Sequence, residues 1–322
     1  MDTQKNAILK KMKSMGVFWA LVVLFLVGCI ASPQFLKAGN MINVARQISI
    51  NGIIALAMTF VCLIGGVDLS VGSQVAVYAI IMATMMKNNI SPFLAIPAAF
   101  ATAMLIGFLN GLGVSKGKLA PFIMTLGSMT ALRGLAKYIS NGSPQSWRNT
   151  GINIKFIGQG YVGFIPFPVI IFIILFLAAF YTLKYTSFGR SVYSVGDNKE
   201  AARLNGINVP RTQLICFILT AFGSFVSALV LTSKLSSADP TAGDGYELTA
   251  LSMCYIGGIS TMGGVGSITG TLIGACLLTV LSNIMNLVGI NSYMQNIVQG
   301  LIVIFAVLLG GLGGFRKKKK SS

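Results

Sequence analysis

Long apolar runs separated by short polar segments make up most of the chain. A hydrocarbon core about 30 Å thick needs roughly 20 apolar residues for one helical crossing. The runs cover residues 16–31, 48–66, 71–86, 93–114, 122–139, 164–183, 213–232, 248–259, 267–288 and 293–313. We therefore predict an all-α polytopic membrane protein with about ten transmembrane helices. A version with about eight helices, in which the shortest runs merge or drop out, stays open.

Basic residues lie in short clusters between these runs. Four lysines precede the first run, and the positive-inside rule places them in the cytoplasm. Threading the helices from that start predicts a cytoplasmic segment over residues 1–15, a transmembrane domain over 16–314 with a cytoplasmic loop at 184–211, and a basic cytoplasmic tail over 315–322. The stretch 26–29 resembles a lipoprotein cleavage box, and cleavage there would leave the later topology unchanged, so that alternative also stays open.

The amino-acid composition excludes several classes of function. The 322 residues are 54% hydrophobic and 10% charged, and the net charge of +17 is scattered in clusters, without the basic stripe that binds nucleic acid. The chain has no histidine, its five cysteines show no Cys-x-x-Cys spacing, and it lacks a phosphate-binding loop motif. We expect neither an enzyme nor an ATP- or metal-binding protein, and any driving energy would come from a partner or from an ion gradient.

Two glycine-rich stretches interrupt the apolar pattern. Residues 64–73 contain Gly-Gly-Val-Asp-Leu-Ser, and residues 256–267 contain a similar set of glycines after a run too short to cross a bilayer. Paired interruptions of this kind indicate an internal repeat with broken helices. Non-helical backbone at membrane depth needs protein or water around it, so both breaks are predicted to lie inside the bundle.

Three segments resemble the permeases of the ribose, arabinose and galactoside branch of bacterial binding-protein-dependent ABC importers. They are residues 65–73 (GGVDLSVGS), residues 122–144 (with FIMTLG, RG and NGSP), and residues 189–258, and the resemblance extends over nearly the whole chain. The stretch Leu235 to Leu248 is closest to ribose permeases, although Asp244 and residues 253–255 depart from that pattern, which leaves the sugar open.

The resemblance implies a mode of action. It implies the ten-helix fold of vitamin B12 type importers and a two-fold dimer in the bacterial inner membrane, for which we expect a homodimer while a heterodimer stays open. It also implies two cytoplasmic ATPase subunits that bind ATP and magnesium, and an extracytoplasmic sugar-binding protein. Residues 16–314 would form the permease domain that passes a monosaccharide, ribose or a similar sugar. No cofactor is expected in this chain. An ion-gradient-driven transporter in which Asp68 titrates or binds the ion is the alternative, and its sign would be further buried carboxylates.

The cytoplasmic loop 184–211 reads as the ATPase-coupling element. Asp197 can cap a short helix with Glu200 three residues later, and Gly206 can end that helix in a left-handed conformation. A rigid helix transmits a push that a flexible loop would absorb, and an ordinary capped loop helix is the alternative. The coupling residues predicted are Gly189, Arg190, Asp197, Glu200, Ala201, Ala202, Arg203 and Gly206, with Leu204 on the small apolar surface.

Polar side chains within the apolar runs are candidates for a translocation path or gate. Sugar hydroxyls need groups that exchange hydrogen bonds, and ionisable residues inside membranes are functional candidates. The predicted path residues are Asp68, Ser70, Asn110, Thr125, Ser128, Asn283, Gln295 and Gln299. The alternatives are that Asp68 or Ser70 caps the next helix, and that the other side chains form interhelical hydrogen bonds.

Cations expected on the outer side are candidates for docking the binding protein. Arg133 and Lys137 are four residues apart and share one helix face, so acidic groups could pair with both. Arg46 and Arg148 complete the predicted docking set. Snorkelling of Arg133 and Lys137 to lipid headgroups is the alternative, and the basic tail is expected to bind anionic lipid.

Overall fold

The computed structural model describes residues 16–302 and residue 304 as a bundle of helices. The predicted segment 1–15, the basic tail 315–322 and the end of the last apolar run lie outside the described residues. The helices are α1 (Gly16–Ala31), α2 (Ala38–Leu63), α3 (Val71–Lys87), α4 (Pro92–Ser115), α5 (Pro121–Ser140), α6 (Lys155–Gln159), α7 (Phe167–Tyr185), α8 (Ser187–Asp197), α9 (Lys199–Leu204), α10 (Val209–Leu235), α11 (Tyr246–Ile256), α12 (Ile268–Leu287) and α13 (residues 292–302).

Within the described residues, every predicted apolar run coincides with a helix. Five helices of this part of the chain, α2, α4, α7, α10 and α12, are long and apolar enough to cross a membrane, while α1 and α3 are apolar but shorter. The prediction of a helical polytopic membrane protein is confirmed. Proline in the first turn starts α4, α5, α7 and α10, where its fixed φ suits a helix and its missing N–H costs no hydrogen bond.

Helices α2, α3 and α10 form the buried centre. Residues 49–63 of α2 are nearly all buried except Asn51, and α3 is buried along most of its length. Helix α10 packs on both α2 and α4. Its contact with α4 is close because Gly107 and Gly111 face the α10 backbone at Ile218 and Leu214.

The two glycine-rich breaks are non-helical, as predicted, and they touch each other. Residues 64–70 separate α2 from α3, and residues 257–267 separate α11 from α12. The Gly264 amide donates to the Leu63 carbonyl at 2.8 Å. The end of α2 therefore meets the break that connects α11 to α12.

Two short antiparallel ladders lie in the loops between the long helices. β1 (Gln145–Ser146) pairs with β4 (Ser237–Ala238), and β2 (Tyr161–Val162) pairs with β3 (Ile165–Pro166). The β1–β4 ladder ties the loop after α5 to the loop after α10. That second loop leads directly into α11, so its position decides where α11 begins.

Candidate functional site

A polar cavity of about 610 Å³ lies between α2, α11, α12 and α13. Its size falls within the roughly 300–1,000 Å³ of small-molecule sites. Thr279 on α12 is 2% exposed, and its hydroxyl has no hydrogen-bond partner among the described residues. The polar side chains that line the cavity are Gln47, Asn51, Asp244, Glu247, Thr249, Ser252, Thr279, Ser282, Asn296 and Gln299. This is a hydrogen-bonding surface suited to a hydroxyl-rich solute.

Arg133 holds the segment that leads into this cavity. Its guanidinium donates to the carbonyls of Pro240 and Ala242, both at 2.9 Å, and lies 3.6 Å from the Asp244 carboxylate. Gly245 then starts α11, whose first turn carries Glu247. Arg133 therefore fixes the start of α11 from within the chain, a role that the sequence analysis did not assign to it.

The predicted path residues near Asp68 form a closed network instead of a cavity wall. The fully buried Asp68 carboxylate accepts from the Ser70 amide at 2.9 Å, from the Ser70 hydroxyl and from Gln74 at 3.3 Å. Asn110 donates to the Ser70 hydroxyl at 3.1 Å and accepts from Ser128. The network joins α3, α4 and α5, and we call these five residues the Asp68 network.

The capping alternative for this region holds in part. Ser70 occupies the N-cap position of α3, but its side chain makes no capping hydrogen bond. Asp68 instead folds the turn before the helix by accepting from the Ser70 amide. Thr125 sits beside the network and donates to the Pro121 carbonyl at 2.8 Å, with the Val67 carbonyl at 3.4 Å.

The other three predicted path residues surround the cavity at α12 and α13. Gln299 lines it and donates to Ser282 at 3.4 Å. Asn283 exchanges hydrogen bonds with Asn40 at 2.8 and 2.9 Å. Gln295 donates to Asn286 at 2.8 Å and to the Ile290 carbonyl at 2.9 Å. Of this group Gln299 faces the open space, while Asn283 and Gln295 tie helices together.

The loop over residues 184–211, predicted to be cytoplasmic, contains two helices where one was expected. The predicted cap at Asp197 is wrong, because Asp197 ends α8 and the Asn198 side chain caps α9 by accepting from the amides of Glu200 and Ala201, both at 3.0 Å. Asn198 is the better acceptor here because its extended backbone aims the side chain at those amides. Gly189 and Arg190 belong to α8.

The end and surface of α9 follow the prediction in part. Gly206 has a φ of 78°, and it closes the helix with the amides of Gly206 and Ile207 donating to Arg203 and Ala202, as a Schellman motif does. The expected apolar surface is smaller than predicted because Ala202 is fully buried. Ala201 and Leu204 are exposed, and Arg203 pairs with Glu200 at 3.0 Å.

Three of the four predicted docking cations already bind backbone in this chain. Besides Arg133, Arg46 donates to the Gln159 carbonyl at 2.9 Å and stacks over the Tyr161 ring, and Arg148 donates to the Leu235 carbonyl at 2.8 Å. Lys137 is exposed one turn beyond Arg133. Each of these arginines therefore has a structural role, and a role in docking would have to be compatible with it.

Most residues of the cavity were not predicted from the sequence. Gln47 and Asn51 are one turn apart at the start of an apolar run, which is a detectable signal of a shared polar face. Glu247 and Thr279 carried no such signal. Their convergence depends on how α11 and α12 pack against α2.

Comparison with known proteins agrees with the family resemblance of the three segments at residues 65–73, 122–144 and 189–258. Residues 40–307 match the family model described as branched-chain amino acid transport system / permease component. The chain is 41% identical over 298 residues to the ribose import permease protein of Bacillus subtilis, and 42% identical over 302 residues to that of Haemophilus influenzae. These alignments cover 92% of both chains in the first case, and 93% of this chain and 94% of the relative in the second. The L-arabinose transport system permease protein of Escherichia coli is 34% identical over 91% of this chain and 89% of its own. No solved structure matches the chain.

Proposed function

The chain belongs to the family of branched-chain amino acid transport system / permease components, and from this premise we propose that it is the membrane subunit of an ATP-driven sugar importer. It is a transport component and not an enzyme. Its cargo is a monosaccharide, and ribose is the first candidate because relatives that are 41% and 42% identical carry that name.

The polar cavity is the structural observation that best supports this proposal. Amides on α2 and α13, hydroxyls on α11 and α12, and the carboxylates of Asp244 and Glu247 offer donors and acceptors, and the described lining residues include no lysine or arginine. A neutral polyol fits that chemistry better than an anion does, because its hydroxyls both donate and accept while the carboxylates repel negative charge. The Thr279 hydroxyl in the cavity wall is buried and has no partner among the described residues, so a small opening of the wall would let a bound sugar satisfy it.

The partners follow from the same proposal. An ATPase subunit would dock at α8 and α9 and supply the ATP and magnesium sites, and a sugar-binding protein would deliver cargo from the outer face. We further propose a homodimer in the inner membrane with both termini in the cytoplasm. Ten transmembrane helices, an internal repeat and the vitamin B12 importer fold are the architecture we expect for it.

The proposal is tested by purifying the tagged chain with its ATPase and binding protein and measuring radiolabelled ribose uptake into proteoliposomes. We expect uptake that requires internal ATP and the sugar-loaded binding protein. Arabinose and galactose serve as competitors that rank the cargo.

An ion-gradient-driven transporter predicts the opposite dependence. Its uptake would proceed without ATP and would stop when an ionophore collapses the gradient. Among the described residues Asp68 is the buried carboxylate that such coupling would use, and it is already bonded to Ser70 and Gln74. Uptake that survives ATP removal and is lost with the ionophore would reject the importer.

A further inference from the structure

The end of α8 lies directly on the end of α2 and on the second glycine-rich break. A Cβ on Gly196 would overlap the Leu63 carbonyl oxygen and lie 2.5 Å from the Gly264 nitrogen. Gly264 has a φ of 71°, and a Cβ there would lie 2.8 Å from the Asp197 Cα. Three backbone segments therefore meet without a side chain between them. We call Leu63, Gly196, Asp197 and Gly264 the glycine junction.

Tyr193 adds a side-chain bond beside this junction. Its hydroxyl donates to the Gly266 carbonyl at 3.1 Å, from a half-buried position one turn before Gly196. Burial raises the pKa of the Tyr193 hydroxyl above its ordinary value, so the group stays protonated and remains a donor across the neutral range. Gly266 lies immediately before Ser267, the N-cap of α12. The bond therefore joins α8 to the point where α12 starts.

The junction lies at one end of three helices that line the polar cavity farther along their length. Leu63 ends α2, which carries Gln47 and Asn51 near its middle. Helix α11 carries Glu247 in its first turn and runs 11 residues to the second break, about 16 Å at 1.5 Å per residue. Helix α12 starts at the junction and reaches the cavity at Thr279. A movement of α8 therefore acts on the ends of α2, α11 and α12, and these three helices line the cavity.

We propose that Tyr193 is the positioning residue through which α8 moves α11 and α12 when the ATPase closes. The inference rests on the proposed function, since it takes α8 and α9 as the ATPase-docking element. The backbone contacts of the glycine junction bear the push from α8 towards the break. The Tyr193 bond makes the break follow when α8 moves away, because close contact alone transmits no pull.

The test measures sugar uptake and ATP hydrolysis in the same proteoliposomes containing the full complex. The Tyr193→Phe variant keeps the ring and loses only the donor. We expect the number of sugars moved per ATP to fall about two- to tenfold, the factor that corresponds to one net hydrogen bond, with assembly and ATP hydrolysis unchanged. Tyr181→Phe on α7, where the side chain is 62% exposed, is the matched control and should keep the wild-type ratio.

The ratio separates positioning from a merely structural role. A structural defect lowers uptake and ATP hydrolysis together and leaves their ratio unchanged. A wild-type ratio in Tyr193→Phe, with or without a parallel fall in both rates, overturns the inference.

A second variant pushes on the junction from the other side. Gly196→Ala places a methyl group against Leu63 and Gly264, so α8 must move off the end of α2 and the second break. We expect a larger loss of coupling than in Tyr193→Phe, while Gly127→Ala, where a Cβ meets nothing within 4 Å, should couple normally. A wild-type ratio in Gly196→Ala contradicts the proposal, and if that variant fails to assemble, Tyr193→Phe decides.

Failure of the inference and failure of the proposed function give different results. A wild-type complex without ATP-dependent sugar uptake rejects the proposed function. A wild-type complex that transports, together with a Tyr193→Phe complex of equal coupling, rejects only the role of Tyr193.

Discussion

The Asp68 network and the polar cavity place polar side chains in the same apolar bundle with opposite consequences. In the network, the Asp68 carboxylate has three donors and Asn110 bonds on both sides of its amide. In the cavity, Thr279 has no partner among the described residues, and Asn51 faces open space. A polar residue in a membrane segment indicates a solute path only when its hydrogen bonds remain available.

The difference has a physical basis. A buried polar group that is fully bonded stabilises one arrangement of its helices, because breaking any bond leaves a desolvated donor or acceptor. A transport path needs groups that exchange partners with the solute at low cost. The network is therefore suited to holding α3, α4 and α5 together, and the cavity is suited to passing a sugar.

The largest expected effect is loss of the Asp68 carboxylate. Asp68→Ala leaves the buried Ser70 amide and Ser70 hydroxyl without their acceptor, while the Gln74 amide loses its 3.3 Å bond and keeps the 2.7 Å bond to the Ser70 hydroxyl. At about 1 kcal/mol or more for each buried donor, the free energy of unfolding should fall by about 3 kcal/mol. Thermal unfolding of the purified chain in detergent measures the change.

The chain contains a matched control for this experiment. Asp239 makes the same local bonds to Thr241, at 2.7 Å to its amide and also to its hydroxyl, but in an exposed loop. Asp239→Ala should cost less than about 1 kcal/mol, because water replaces the lost acceptor. Equal losses of stability in the two variants would show that burial of the network adds nothing.

A second prediction compares the replacement of one amide that lines the cavity with the replacement of one amide that is hydrogen-bonded within the bundle. Asn51→Ala removes a cavity amide, so the KM for ribose uptake should rise by up to about tenfold, the equivalent of one or two net hydrogen bonds, while thermal stability stays unchanged. Asn283→Ala breaks the reciprocal pair with Asn40 and should lower thermal stability by about 1–2 kcal/mol.

The opposite result for Asn51→Ala would contradict this prediction. If Asn51→Ala destabilises the chain and leaves the KM unchanged, the cavity amide is a packing group and the assignment of the path is wrong.

Much of the fold was predictable because the bilayer restricts what a chain can do. Within the described residues each apolar run forms a helix, and the breaks at residues 64–70 and 257–267 lie where glycines interrupt the runs. The family resemblance is confirmed by the match over residues 40–307. These features depend on local composition, which periodicity and hydropathy report directly.

The site was harder to predict because it depends on packing between distant segments. Asp68, Asn110 and Ser128 were predicted as path residues. Nothing in the local sequence shows that Asn110 bonds to both Ser70 and Ser128. The cap of α9 was misplaced by one residue because Asp197 and Asn198 are both good caps and the backbone decides between them. The use of Arg133 to hold residues 240–242 requires contact across more than a hundred residues.

The smallest expected effect concerns Thr279. Thr279→Val removes a buried hydroxyl that has no partner among the described residues and keeps nearly the same shape, so stability should stay the same or rise by up to about 1 kcal/mol. Ribose uptake should fall about threefold if the hydroxyl serves the sugar.

Thr59 provides the bonded counterpart to Thr279. Its hydroxyl donates to the Ala55 carbonyl at 2.9 Å and contacts the Thr271 hydroxyl at 2.8 Å, so Thr59→Val should lower the free energy of unfolding by about 1–2 kcal/mol. Its effect on uptake should not exceed its effect on the amount of folded protein. Wild-type uptake in Thr279→Val would remove this hydroxyl from the sugar path, because a group that contacts the cargo cannot be deleted without changing either binding or passage.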